Sequence, residues 1–224
     1  MAEGMVLLRL MRLASAALPI GAFAYSQGLE QAVETGAVHD APSTAAWACG
    51  LIEHGLSTND LPALLRLHGA WRRGDLERVQ HWNALLYASR PSRELREEEL
   101  QLGKALARLL AELDVPRAAD FRRSQNVTLA SMIALASVEW QIEAEPAALA
   151  YGYAWCEAQV GAATRLVPLG QTEAQRVLSR ALEALERGLG RARGVADDEL
   201  GASTFGQALL SMQHETQYSR LFRS

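Results

Sequence analysis

The residues around Ser26 are the first that could carry chemistry, because they approach a known catalytic motif. Residues 24–28 read AYSQG, which differs from the GxSxG nucleophile elbow by having Ala24 in place of the first glycine. That motif exposes its serine where a strand turns sharply into a helix, and no alternating apolar–polar pattern here is long enough to supply the strand. A small helical hydrolase that pairs Ser26 with a histidine is therefore kept only as an alternative function.

The other reactive side chains do not form a nucleotide-binding or metal-binding motif. Gly103 and Lys104 lack the glycine at position 98 and the hydroxyl at position 105 that a phosphate-binding loop requires. The five histidines, at 39, 54, 68, 81 and 214, show no HxxxH, HExxH or paired Cys/His spacing. His68 stands among leucines at helical spacing, so we expect it to be a hydrogen-bonded core residue. We expect no catalytic residue, no cofactor and no intrinsic metal site.

Composition indicates a globular protein of ordinary polarity. The 224 residues are 49% apolar and 21% charged, with a net charge of −4, so a sizeable core is expected and nucleic acid is disfavoured as the main partner. Cys49 and Cys156 form no CxxC pair, which suits a reducing compartment. Arg9 and Arg12 interrupt the N-terminal apolar run, which argues against a secretory signal. The uncharged stretch 13–29 contains too many small residues and turn formers for a membrane span. We expect a cytoplasmic protein.

The hydrophobic spacing is helical along nearly the whole chain. The predicted helices begin, in chain order, near Gly28, Ser43 or Thr44, Asp60, Asp75, Ser92, Val127, Pro146, Thr172 and Phe205. The stretch 127–138 is apolar or small on every face, which predicts a central buried helix, whereas the glycine-rich stretch 186–203 predicts a surface loop. The sequence therefore predicts an all-α fold: a single compact domain, residues 1–224, of roughly eight to ten helices.

Two features of the predicted helices concern surfaces. Residues at 149, 153, 156, 160, 163 and 167 follow alternating steps of four and three, which is the spacing of a helix–helix seam and a candidate homodimer face. The acidic run 97–99 is interpreted as a solvated helix face. Glu99 falls near the leucine stripe of that helix, so it must either form an ion pair or lie at the edge of the stripe.

Two turn regions are candidates for a specific binding surface. Residues 14–30, which are uncharged until Glu30, end in a Tyr-Ser-Gln-Gly-Leu-Glu corner that includes Tyr25, Ser26, Gln27 and Glu30. Residues 165–175 read as a helix stop and restart, with Arg165 at the edge. Both regions could equally be tight turns of the core or rigidly presented binding loops.

The C-terminal tail, at about 205–224, carries side chains that are common at protein interfaces. Its helix is predicted to run from Phe205 to about Leu221, with Tyr218, Leu221 and Phe222 forming a small apolar face beside Arg220 and Arg223. Aromatic and arginine side chains contribute most of the binding energy in many interfaces. The tail is either a last helix packed on the core or an anchor that becomes ordered on another protein.

Four blocks of the sequence together resemble the UreF family of urease accessory proteins. They are LPIGAFAYSQGLEQAVETG, NDLPALLRLHGAWRRGDLERVQHWNALLYASRPSRELREEELQLGKAL, VGAATRLVPLGQTEAQRVL and HETQYSRLFRS. They span nearly the whole chain, from residue 18 to residue 224, in the order expected for the family. The family commonly has a glycine where Glu173 or Ala174 stands, which leaves the detailed shape of that turn open.

The resemblance implies an all-helical, often dimeric and non-enzymatic cytoplasmic protein that acts in the maturation of urease, a nickel enzyme. Family members bind the accessory protein UreD, also called UreH, and recruit the GTPase UreG to apo-urease. Nickel and nucleotide would then belong to the partners. The residues that we expect to contact partners are Tyr25, Ser26, Gln27, Glu30, Arg165, Gln171, Tyr218, Arg220, Leu221, Phe222 and Arg223.

The resemblance leaves two mechanistic roles open. The protein could be an assembly scaffold that holds the maturation proteins together. It could also regulate the GTPase directly, with Arg165, Arg220 or Arg223 stabilising the charge that develops during phosphoryl transfer.

Overall fold

The computed structural model describes residues 3–224, and this part of the chain is helical without a β-strand. The α-helices are α1 (Glu3–Ala14), α2 (Leu29–Glu34), α3 (Ala41–Leu51), α4 (Leu61–Arg73), α5 (Leu76–Ala88), α6 (Arg93–Glu112), α7 (Ala118–Phe121), α8 (Leu129–Glu139), α9 (Ala144–Leu166), α10 (Gln171–Ala192) and α11 (Phe205–His214). A π-helix, Ile52–Asp60, joins α3 to α4 without a break. Counted with α3 and α4 as one rod, the described residues form ten helices. The all-α prediction is confirmed.

Helix α8 lies at the centre, as its sequence predicts. It packs against α4, α6 and α9, and nearly all of its side chains are buried. Helix α10 covers α3, the π-helix and α9, while α1 packs along α9 through Leu13. His68 of α4 is buried, and its Nε2 lies 2.8 Å from the carbonyl oxygen of Ile142. The prediction of a hydrogen-bonded core histidine is confirmed.

Several predicted helix ends are wrong, because side chains outside the local pattern decide them. Asp40, not Ser43 or Thr44, caps α3, and its carboxylate accepts from the Ser43 N–H at 2.8 Å. Asp60 is not a cap at all, since its backbone is helical and continues from the π-helix into α4. Helix α10 starts at Gln171 rather than after Thr172.

The segment predicted as a loop at 186–203 is partly helical. Helix α10 continues to Ala192, and Gly188, Leu189 and Ala192 are buried against the rest of the domain. Glycine there reflects close packing, because a Cβ on Gly188 would lie 3.3 Å from the Cβ of Ser57. The last helix also differs from its prediction, since α11 ends at His214 instead of near Leu221.

Two surface predictions are corrected by burial. Glu98 and Glu99 are 5% and 6% exposed, so only Glu97 of the acidic run faces solvent. The seam on α9 is not free for a second copy, because Cys156, Val160, Ala163 and Val167 on it are buried in the chain's own core. None of the helices in residues 3–224 combines the length and the hydropathy needed to cross a membrane.

Candidate partner-binding site

The C-terminal segment, defined here as residues 215–224, packs on the turn that precedes α2. The Ser26 N–H donates to the Ser224 carbonyl oxygen at 2.8 Å, and the Arg223 N–H donates to the Ala24 carbonyl oxygen at 2.9 Å. The Ser26 hydroxyl also donates to the Ser224 oxygen and accepts from the Glu30 N–H. Two stretches nearly 200 positions apart in the sequence are thereby joined by backbone hydrogen bonds.

Glu30 fixes the end of this segment through its carboxylate. It lies in the first turn of α2, is 7% exposed, and accepts from the N–H groups of Leu221 at 2.7 Å and Phe222 at 2.9 Å. These groups have no helical partner, because the chain beyond His214 is irregular. A buried carboxylate therefore replaces the missing backbone hydrogen bonds.

A buried charged cluster ties α11 and the C-terminal segment to α2 and α6. We call Glu30, Glu94, His214 and Arg220 the carboxylate–histidine cluster. His214 is fully buried, with Nδ1 at 2.7 Å from a Glu94 oxygen and Nε2 at 3.1 Å from a Glu30 oxygen. Arg220 donates to the other Glu94 oxygen at 2.7 Å. Charged groups buried in this way are stable only when each is paired.

Gln27 links the same turn to α6 and α9. Its backbone has φ of 56°, an uncommon conformation for a residue other than glycine. Its side chain donates to Glu98 at 2.7 Å and accepts from the Trp155 indole N–H at 2.7 Å. The Ser224 hydroxyl donates to the other Glu98 oxygen at 2.8 Å. Burial raises the pKa of the Glu98 carboxyl to about 7, although these hydrogen bonds oppose the shift.

Gly28 allows α11 to approach α2 closely. Its φ is 88°, and a Cβ at this position would lie 3.2 Å from the backbone nitrogen of Ser211. A side chain would therefore strain the turn and push α11 away. This contact explains a glycine between Gln27 and the start of α2.

Phe222 anchors the segment in a small apolar core of its own. It is 5% exposed and belongs to a cluster with Leu29, Ala32, Val38, Ala162, Ala163 and Val167. The Arg165 guanidinium lies 5.9 Å from the centre of the Phe222 ring, within cation–π range. Burial raises the pKa of the neighbouring Tyr25 phenol, and a hydrogen bond from Arg223 partly offsets that rise.

Five large apolar side chains are exposed on α11 and the C-terminal segment. Phe205, Leu209 and Met212 of α11 follow steps of four and three and are 82%, 46% and 48% exposed. Tyr218 is fully exposed and Leu221 is 63% exposed. We call these five side chains the exposed apolar surface. Large apolar side chains that are left exposed are candidates for contact with another protein.

A second polar cluster lies inside the domain, beside the π-helix. Arg90 bridges Asp60 and Glu99, and the Tyr151 hydroxyl donates to Asp60 at 2.9 Å. Burial alone would lower the pKa of Arg90, but the charges of Asp60 and Glu99 raise it well above its usual range. The ion pair accounts for the burial of Glu99 within the leucine stripe.

A cavity of about 320 Å³ adjoins the Arg90 cluster and the Gln27–Glu98 contact. Glu98, Glu99, Asp60, Arg90 and the half-buried Trp155 are among its lining residues. No group of three His, Cys, Asp or Glu side chains within residues 3–224 has metal-site geometry. The Cys156 thiol is a poor metal ligand, because a metal binds the thiolate and burial raises the pKa of this thiol to about 12.

Comparison with known proteins identifies the family of this chain. The family model described as UreF matches residues 38–182. The urease accessory protein UreF of Alkalilimnicola ehrlichii is 47% identical over 221 residues, covering 99% of this chain and 97% of that protein. UreF of Hahella chejuensis is 44% identical over 220 residues, covering 98% and 99%. A Klebsiella pneumoniae UreF is 43% identical, with 97% of both chains covered.

The chain belongs to the UreF family of urease accessory proteins. The sequence resemblance is thereby confirmed. The structure places most of the predicted contact residues of this UreF-family chain in one region, where Tyr25, Ser26, Gln27 and Glu30 meet the C-terminal segment. Arg165 joins them through Phe222, whereas Gln171 lies exposed at the start of α10.

Of the two states that the sequence leaves open for the C-terminal tail, the structure has the one in which the tail packs on its own domain. Phe222 is buried there rather than available to a partner. Tyr218 and Leu221 are exposed, while Arg220 is paired with Glu94. Partner contact by these residues stays a prediction, and it now concerns the outward side chains.

Sequence reasoning missed Glu94, Glu98 and His214, which hold the segment in place. A signal for Glu98 was present, because it stands three positions after Leu95 and four before Leu102, on the apolar face of α6. His214 gave no such signal, since its two carboxylate partners lie 120 and 184 positions away.

Proposed function

We propose that this UreF-family chain is a non-enzymatic assembly protein of urease maturation. It binds UreD/UreH and recruits the GTPase UreG to apo-urease in the cytoplasm, so that nickel is inserted into the active site. The observation that carries the proposal is the exposed apolar surface. Its side chains project from a segment that buried hydrogen bonds already hold in one conformation.

Preorganisation is the physical reason why this surface suits a partner. Ordering a flexible tail on binding costs side-chain and backbone entropy, which lowers affinity. Glu30, Phe222 and Ser224 anchor the C-terminal segment within the chain. Tyr218 and Leu221 can therefore enter a complementary apolar groove of UreD/UreH without that cost.

A scaffold role is favoured over direct stabilisation of the GTPase transition state. Each candidate arginine already has a partner within the chain: Phe222 for Arg165, Glu94 for Arg220 and Tyr25 for Arg223. An arginine that completes another protein's active site would have to leave its partner. Removing Arg220 in particular would leave a Glu94 oxygen without its charged donor.

The experiment is a binding titration with purified UreD/UreH. We expect the double variant Tyr218→Ala/Leu221→Ala to weaken binding at least about tenfold, because each apolar side chain buried at an interface contributes about 1.5–3 kcal/mol. The matched control is Leu76→Ala, which removes a side chain that is 52% exposed on α5. Equal affinity of the double variant and the wild type would refute the assignment of this surface.

The choice between scaffold and GTPase regulator is tested separately. Single-turnover GTP hydrolysis by UreG is measured with and without this chain. A scaffold predicts little change in the hydrolysis rate, whereas a large acceleration lost in one of Arg165→Ala, Arg220→Ala or Arg223→Ala would establish the regulator.

We also propose that the chain forms a homodimer, as the family resemblance implies. Most of the α9 seam is not available as the interface, because Cys156, Val160, Ala163 and Val167 are buried within the chain and Leu149 alone among its six residues is exposed. Light scattering of the purified protein tests the proposal, and a mass of one chain at micromolar concentration would contradict it.

A further inference from the structure

His214 has a hydrogen-bond environment that restricts its protonation. Its Nδ1 lies 2.7 Å from Glu94 Oε2 and its Nε2 lies 3.1 Å from Glu30 Oε2. A neutral imidazole has one N–H and one bare nitrogen. It could therefore donate to only one of these carboxylates and would turn a lone pair towards the other.

We propose that His214 is held as an imidazolium and is the positioning residue that fixes the partner-binding conformation of the C-terminal segment. Both ring nitrogens then donate, one to each carboxylate. The inference rests on the proposed function for the identity of the partner, but the charge state of His214 is a property of the isolated chain.

The charge balance of the cluster supports the imidazolium. Glu30 and Glu94 are 7% and 5% exposed, and Arg220 is the other cation that pairs with them. With a neutral His214, two buried carboxylates would share one guanidinium, which leaves a negative charge uncompensated. With a charged His214, two cations face two anions.

The remaining hydrogen bonds of Glu30 and Glu94 favour the His214 ring, rather than either carboxylate, as the site of the proton. Glu94 accepts from Arg220, and Glu30 accepts from the N–H groups of Leu221 and Phe222. Each of these donors favours the ionised carboxylate. A protonated glutamate beside a neutral imidazole would weaken them, so the ring is the better site for the proton.

The consequence is that the conformation of the segment depends on the charge of His214. The charged groups around the cluster are Glu30 from α2, Glu94 and Arg93 from α6, and Arg220 and Glu215 from the C-terminal segment. A ring without this charge would leave one of the two carboxylates without its donor, and the segment would loosen.

Nitrogen-15 NMR of the isolated full chain tests the charge state directly. We expect both His214 ring nitrogens to show the protonated, imidazolium-type signal at neutral pH. Exposed His54 is the internal control. A single bare ring nitrogen on His214 at neutral pH would overturn the proposal.

Hydrogen exchange tests the positioning role. His214→Gln, which fills one of the two contacts without charge, is expected to reduce protection of the Leu221 and Phe222 amides at least about tenfold. The control is His54→Gln. Unchanged protection in His214→Gln would contradict the inference.

Binding of UreD/UreH separates this inference from the proposed function. We expect His214→Gln to weaken binding of UreD/UreH to the chain. If the segment loosens as expected but UreD/UreH affinity is unchanged, the positioning role in partner binding is wrong while the imidazolium assignment stands. If UreD/UreH does not bind the wild type, the proposed function itself fails.

Discussion

Replacing Phe222 by alanine should release the C-terminal segment from its own domain. The ring is 5% exposed and packs among Leu29, Val38 and Val167. Burial of a phenylalanine contributes about 1.5–3 kcal/mol, and the cavity left behind brings the cost of Phe→Ala to about 3–5 kcal/mol. Arg165 would also lose the ring beneath it. We therefore expect the conformation in which the segment packs on its own domain to lose about 3 kcal/mol of stability.

This loss should be visible as local opening. A cost of about 3 kcal/mol corresponds to roughly a hundredfold change in an opening equilibrium. Protection of the Leu221, Phe222 and Arg223 amides, whose acceptors are Glu30 and the Ala24 carbonyl, should fall by about that factor in hydrogen exchange.

The neighbouring side chain gives the matched control. Leu221→Ala removes an exposed side chain from the same segment, so it should change protection by less than about twofold while weakening UreD/UreH binding. Equal protection in the wild type and Phe222→Ala would refute the packing argument. So would an equally large loss of protection in Leu221→Ala.

Three further predictions concern the domain that supports the site. Gly103→Ala should destabilise the fold by about 1–3 kcal/mol in chemical denaturation, because its Cβ would collide with the Val127 carbonyl oxygen. The control Gly190→Ala, which adds a Cβ in open space, should be neutral or stabilising. Arg90→Met should cost about 3–5 kcal/mol, since it leaves two buried carboxylates unpaired; a loss below about 1 kcal/mol would contradict the ion-pair assignment. Glu98 has a folded-state pKa of about 7 against an ordinary value of 4.5, so its contribution to the free energy of unfolding is greatest below pH 4.5 and falls as pH rises to 7. The difference in the free energy of unfolding between Glu98→Gln and the wild type should therefore change in favour of the variant over that range, by on the order of 3 kcal/mol. A difference that stays constant with pH would contradict the raised pKa of Glu98.

The secondary structure of most of this chain could be predicted because the information is local. The leucine stripe of α6 and the uniformly apolar α8 follow directly from residue spacing and from the helix burial that it implies. The π-helix at 52–60 could not be predicted in this way. It replaces the expected cap at Asp60 with a continuous rod, and Asp60 instead pairs with Arg90, which lies 30 positions later.

The sequence predicts the two parts of the candidate site but not the contact between them. The two blocks that form it, around Ser26 and around Phe222, were each singled out by residue type. Their mutual contact depends on hydrogen bonds between residues nearly 200 positions apart, which no local pattern encodes. This contact also complicates a truncation experiment, because removing the segment would take the Leu221 and Phe222 N–H donors from buried Glu30 and the Arg220 guanidinium from buried Glu94, and so would destabilise the domain itself.

We expect the C-terminal segment to be ordered on its own domain before UreD/UreH binds and to present Tyr218 and Leu221 to it. Hydrogen exchange of the free full chain and of its complex with UreD/UreH measures this directly. The Leu221, Phe222 and Arg223 amides should exchange slowly in the free chain, with added protection of α11 and the segment in the complex. Exchange of those amides at the rate of an unfolded peptide until UreD/UreH is added would contradict this expectation.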